Sequence, residues 1–108
     1  MGSEQRRDRR ISVKLEVYLD KGYGQQLVQI ADLSIGGCFI RALDQPVIGT
    51  NVNLELRLPT GQWIFLEGVV AHCHPGAGFG VQFTSQERGL LAKLIEALLP
   101  SSKTLPPR

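Results

Sequence analysis

Residues 11–19, ISVKLEVYL, alternate without a break: Ile11, Val13, Leu15, Val17 and Leu19 fall on one face, Ser12, Lys14, Glu16 and Tyr18 on the other. A period of two belongs to a strand buried on one side only, so this stretch predicts a β-strand. The same reading carries outward along the chain. "DKGYGQ" (20–25) is a turn by its glycines, and "LVQIADL" (27–33) returns as the second strand of a hairpin. "SIGG" (34–37) interrupts the pattern before "CFIRAL" (38–43) resumes it as a third strand. After the loop "DQPVIGT", "NVNLELRL" (51–58) again shows one apolar face, in Val52, Leu54, Leu56 and Leu58. "PTGQ" (59–62) places Pro and Gly where a turn needs them. "WIFLEGVVAHC" (63–73) reads as a long strand with Gly68 as a bend or bulge. "HPGAG" turns the chain again, and "FGVQF" (79–83) is the sixth strand.

The period then changes. Leu90, Leu91, Leu94, Ile95, Leu98 and Leu99 recur at helical spacing, Thr84 and Glu87 offer a capping box, and Pro100 stops the helix. Six short strands at roughly 8 to 12 residue spacing predict an all-β fold, a small antiparallel barrel or sandwich with the helix covering one open end. Closure into a barrel removes the edge strands that an open sheet would leave. The expected organisation is an arm over 1–10, the barrel with its helix over 11–99, and a polar, proline-rich tail over 100–108 that reads as disordered.

Length and composition set bounds. At 108 residues, 43% hydrophobic and 20% charged, the chain suits one domain with a core of its own. The net charge is +2, and its placement matters more than its size. Arg6, Arg7, Arg9 and Arg10 face only Glu4 and Asp8 within the first ten residues, whereas the rest carries eight basic and eight acidic side chains. A binder of nucleic acid usually spreads basic residues over a face of its fold, so a neutral barrel argues against that class. Cys38 and Cys73 form no CxxC pair and read as reduced core thiols. No apolar run is long enough to span a membrane and no secretion signal follows the arginines, so a cytoplasmic location without membrane insertion is the expectation. Met1 to Ser3 can be a cloning remnant and carry no functional argument.

Two groups of residues stand out for their chemistry. One is Arg6-Arg7-Asp8-Arg9-Arg10 on the arm; the other is Asp32-Leu33-Ser34-Ile35-Gly36-Gly37 at the turn between the second and third strands. Singly, each has a plain explanation, because terminal arginines are usually solvated and Asp, Ser and Gly are turn formers. In order and spacing, the RxxxR arm and the DxSxxG turn resemble the signatures of the PilZ domain, the bacterial receptor domain for cyclic di-GMP. "GFGVQF" (78–83) and the helix containing "ERGLLAKLI" are similar to the closing strand and C-terminal helix of that family, so the resemblance spans about residues 5–98.

The resemblance implies a six-stranded antiparallel β-barrel of PilZ type, capped by the C-terminal helix and preceded by a flexible Arg-rich arm. It also implies cyclic di-GMP as ligand, with Arg6, Arg7 and Arg10 on one side and Asp32, Ser34, Gly36 and Gly37 on the other; Arg9 and Arg41 are placed as auxiliaries. The ligand has two phosphodiester charges and two guanines, each with O6 and N7 acceptors on one edge. Arginine's planar fork can take both acceptors, pair bidentately with a phosphate or stack on a base. Arg6 and Arg10 are at most about 14 Å apart, so they can grip different parts of one compact ligand. Ionised Asp32 only accepts, which suits guanine N1–H and N2–H; Ser34 can donate to a phosphate or base; Gly37 lets backbone and ligand approach closely. No cofactor, metal or catalysis is expected. In the family the arm is mobile when empty and wraps over the ligand, and the output passes to a partner, here an unidentified effector protein. Monomer and homodimer both remain open.

Other features are weaker. Ser34 lacks the preceding glycine and the strand-to-helix turn of a nucleophile elbow. "HCH" (72–74) puts His72 and His74 on one face of a strand and Cys73 on the other, giving two metal ligands at most. Trp63, Phe65, Phe79 and Phe83 read as core aromatics. The alternatives to a cyclic di-GMP receptor are a small nucleic-acid-binding barrel and a PilZ-like module that contacts proteins without the ligand.

Overall fold

The structure, a computed structural model, describes residues 10–22, 24–58, 60–84 and 88–98. The strands are β1 (Ile11–Asp20), β2 (Gln25–Leu33), β3 (Gly37–Arg41), β4 (Asn51–Arg57), β5 (Trp63–His74) and β6 (Gly78–Phe83), followed by one helix, α1 (Arg88–Leu98). They close into an antiparallel barrel in the order β1-β2-β3-β6-β5-β4. The seam is short: β1 meets β4 only through Tyr18↔Glu55, Leu19↔Leu54 and Asp20↔Asn53. Consequently Val17 and Leu19 are fully buried, whereas Ile11, Val13 and Leu15, before the seam, are half-buried.

Alternation puts the core where the period predicted. Val52, Leu54 and Leu56 of β4 face inward with Ile64, Leu66 and Val70 of β5, around a fully buried Phe79. Burying a Val, Leu, Ile or Phe side chain contributes about 1.5–3 kcal/mol each, and the barrel interior collects more than a dozen such groups. Leu91, Leu94 and Ile95 of α1 join the same cluster. Leu90, Lys93 and Ala97 border one cavity with Leu58, Thr60 and Gln62, so the helix covers the barrel end where β4 stops and β5 starts.

Three details differ from expectation. Gly68 is not a bulge: it keeps register with Val52 and Phe83, and the shift against β6 falls between Val70 and His72. Its missing side chain serves close packing instead, since a Cβ would come 2.6 Å from the Gln82 carbonyl oxygen. Trp63 and Phe65 are not core residues; they are 39% and 62% exposed, because Ile64, Leu66 and Val70 take the inward positions of β5. β3 ends at Arg41, so Ala42 and Leu43 belong to the following loop. The capping box lies partly outside the described residues, as Glu87 does.

Gly89, near the start of α1, is exposed, and a Cβ there would meet nothing within 4 Å. Gly89→Ala should raise stability by about 0.5–1 kcal/mol, by restricting the unfolded chain and favouring the helix. Chemical denaturation checks this; an unchanged midpoint would show that the first turn adds nothing to the fold.

Candidate ligand-binding groove

The turn between β2 and β3 is built by one hydroxyl. Ser34 is fully buried, its Oγ accepts from the backbone N–H of Gly36 and of Gly37 at 3.2 Å each, and it donates to the Gly37 carbonyl at 3.3 Å. The Ser34 N–H donates to that same carbonyl at 2.8 Å. By residue type Ser34 can donate to a ligand; in the structure its hydroxyl is taken up inside the turn, and it shapes the groove from beneath. Gly36 anchors the turn to the last strand, its carbonyl accepting from Phe83 N–H at 2.8 Å. Gly37 has no positive φ, and its role is contact: a Cβ there would overlap the carbonyl oxygen of Val81.

That turn forms one wall of an open groove of about 470 Å³, within the range of small-molecule sites. Arg10 and Asp32 stand at its edge and are joined by an ion pair, Arg10 Nη1 donating to Asp32 Oδ1 at 2.6 Å. The last arginine of the arm and the first residue of the turn motif, 22 positions apart, thus meet on one site. The β1–β2 register, with Ile11↔Leu33 and Ser12↔Asp32, causes the meeting, since it sets the start of β1 beside the end of β2.

Phe39, His72 and Gln82 add to the lining, from β3, β5 and β6. None of the three belongs to either sequence motif. The Phe39 and His72 rings lie nearly parallel, 25° apart with centroids 6.4 Å apart, and His74 meets the His72 ring edge-on at 5.0 Å. The alternation that put His72 and His74 on one outward face was the available signal. Gly80 makes room for this arrangement, because a Cβ there would overlap the His72 imidazole. A groove with a guanidinium and a carboxylate at its rim and an aromatic-imidazole wall can hold an anionic, planar ligand by charge, paired hydrogen bonds and stacking.

Cys38 also borders the groove but brings no charge to it. Burial drives its thiol well above the usual cysteine range, Asp32 adds to the effect and Arg10 opposes it, so the sulfur stays protonated. Cys73 is half-buried, its thiol donating to the Pro46 carbonyl. Arg41 is elsewhere: it ends β3, four residues beyond Gly37 or about 13 Å along the strand, and lines a different depression with Lys21 and Asp44. The structure does not bring this expected auxiliary to the groove. Arg6, Arg7 and Arg9 fall outside the described residues. No described helix is long and apolar enough to cross a membrane.

Comparison with known proteins agrees with this architecture. The family model for the PilZ domain matches residues 4–99. Among solved structures, the Bacillus subtilis inhibitor of motility MotI/DgrA superposes with a TM-score of 0.70 at 18% identity, over 91% of this chain and 51% of that one. The chain therefore spans about half the length of that relative. The PilZ domain of CeSA from a cellulose-synthesizing bacterium superposes with a TM-score of 0.61 at 19% identity, over 87% of this chain and 98% of that one. At these identities the likeness is one of fold. No curated protein matches the sequence.

Proposed function

The chain belongs to the PilZ domain family, a family of cyclic di-GMP receptors, and from that premise we propose that it is itself a non-enzymatic receptor for cyclic di-GMP, binding at the groove between Arg10 and the Asp32–Gly37 turn. The observation that carries the reading is the Arg10–Asp32 ion pair, which brings the ends of both signature motifs to one groove rim. Arg10 offers a phosphodiester or a guanine edge the N–H groups that Asp32 leaves unused. Asp32 accepts from guanine N1–H and N2–H. Ser34 holds Gly36 and Gly37 so that the backbone rim keeps its shape. Phe39 and His72 supply a surface for a base. Arg6 and Arg7, at most about 14 Å of chain from Arg10, reach the far side of the ligand, with Arg9 assisting.

The output is a change of arm position. A ligand shifts a conformational equilibrium only by its differential affinity for the two states, and here the differential contacts are the arm's arginines. The receptor passes the change to a separate effector protein in the cytoplasm.

Isothermal titration calorimetry with cyclic di-GMP tests this. Saturable binding with defined stoichiometry is expected; absence of heat and saturation at about tens of micromolar protein rejects the receptor reading. Mixed-sequence DNA and RNA are the control. Retention at low salt with steep release as salt rises would point to a phosphate-backbone binder instead.

A further inference from the structure

Away from the groove, the barrel shows an apolar row that no folding requirement explains. Leu27 pairs with Tyr18, Tyr18 with Glu55, and Glu55 with Phe65, so a line crosses the outer faces of β2, β1, β4 and β5. Its apolar members are 56%, 39% and 62% exposed, and Trp63 beside them 39%. Tyr18 and Trp63 rings stand 6.2 Å apart, and the Arg57 guanidinium lies 5.8 Å above the Trp63 ring. Beyond Phe65 the surface sinks into a groove of about 470 Å³ bordered by the carboxylates of Asp20, Glu55 and Glu67. Aromatics followed by carboxylates form a surface suited to prolines followed by a basic residue. Proline rings lie flat on Tyr and Trp at little entropic cost, and a guanidinium completes the charge match.

The chain carries such a segment. Residues 104–108 read Thr-Leu-Pro-Pro-Arg, beyond the last described residue of α1, Leu98. The exit point is close by, since Ala97 of α1 and Gln62, the neighbour of Trp63, border one small cavity of about 280 Å³. From Leu98 to Leu105 is seven residues, about 22 Å in a polyproline conformation, and Trp63 to Glu67 is about 13 Å along β5. The reach exceeds that length of β5. We propose that Thr104–Arg108 docks on its own barrel along the outer face of β5, with Pro106 and Pro107 against Tyr18 and Trp63 and Arg108 toward Glu55 and Asp20. Composition alone gave this tail no place. A tether this short holds the segment at an effective concentration on the order of millimolar, so weak intrinsic affinity suffices. The docked tail covers the apolar row and competes with any outside partner for it.

Trp63 is the sole tryptophan, so its emission reports directly on this face. The experiment compares the full chain with the full-chain double variant Pro106→Gly/Pro107→Gly, by emission maximum and acrylamide quenching at two protein concentrations. Docking predicts a red shift and roughly twofold stronger quenching in the variant, independent of concentration. Identical spectra and quenching in the two proteins overturn the proposal. Protection of Trp63 that grows with concentration in both proteins overturns it in favour of contact between two copies of the chain.

Discussion

Gly37→Ala should lose about 3 kcal/mol of stability or more, and melt more than roughly 10 °C below the parent. The glycine faces backbone, not a side chain: the added methyl would overlap the Val81 carbonyl oxygen and stand 3.3 Å from the Gln82 Cα. A carbonyl inside a sheet ladder cannot swing aside. Relief requires β3 and β6 to part, which stretches the Gly37↔Gln82 and Cys38↔Val81 pairing and the 2.8 Å bond from Phe83 N–H to the Gly36 carbonyl. Those contacts hold the floor of the groove, so stability and site fail together. Gly80→Ala is the internal comparison. The atoms its methyl would meet first all belong to the His72 imidazole, an exposed side chain able to rotate, so the stability cost should stay near 1 kcal/mol while the groove wall is disturbed. Equal losses in the two variants, measured by chemical denaturation, would show that the close approach of β3 to β6 is not what Gly37 supplies.

The alternation of β1 and β4 is unambiguous, and both strands lie where their period put them. "WIFL" in β5 offers four apolar residues in succession, so the period is silent there. Which pair faces inward was decided by β4, whose buried Leu54 and Leu56 oppose Leu66 and Ile64 in register. Residue type had a similar limit at the turn. Ser34 announces a donor and two acceptor lone pairs, yet only the folded turn shows that Gly36 and Gly37 consume them. Both signature motifs could be read because each is contiguous. Phe39, His72 and Gln82 come from three strands that neighbour one another only after closure, and no local pattern marks them as partners.

The pairing of Arg10 with Asp32 makes the binding energetics testable in a form that a list of contacts does not. Both side chains are substantially exposed, 51% and 33%, so breaking the pair should change the stability of the free protein by less than about 1 kcal/mol. Affinity for cyclic di-GMP should respond far more. On the proposed reading, Arg10→Ala removes charged hydrogen bonds to the ligand and uncovers the Asp32 carboxylate beside two phosphodiesters. A weakening of about thirtyfold, roughly 2 kcal/mol, is expected by calorimetry. Asp32→Ala acts by another route: it removes an acceptor for guanine and frees Arg10 to sample rotamers that must be given up on binding, at about 0.5–1.5 kcal/mol. The two losses should not add. Once Asp32 is gone, deleting Arg10 no longer exposes a repelling carboxylate, so the double variant should bind about as well as Arg10→Ala alone, or better. Additivity within about 0.5 kcal/mol would mean that the two residues act on the ligand independently, and that their ion pair does not organise the site.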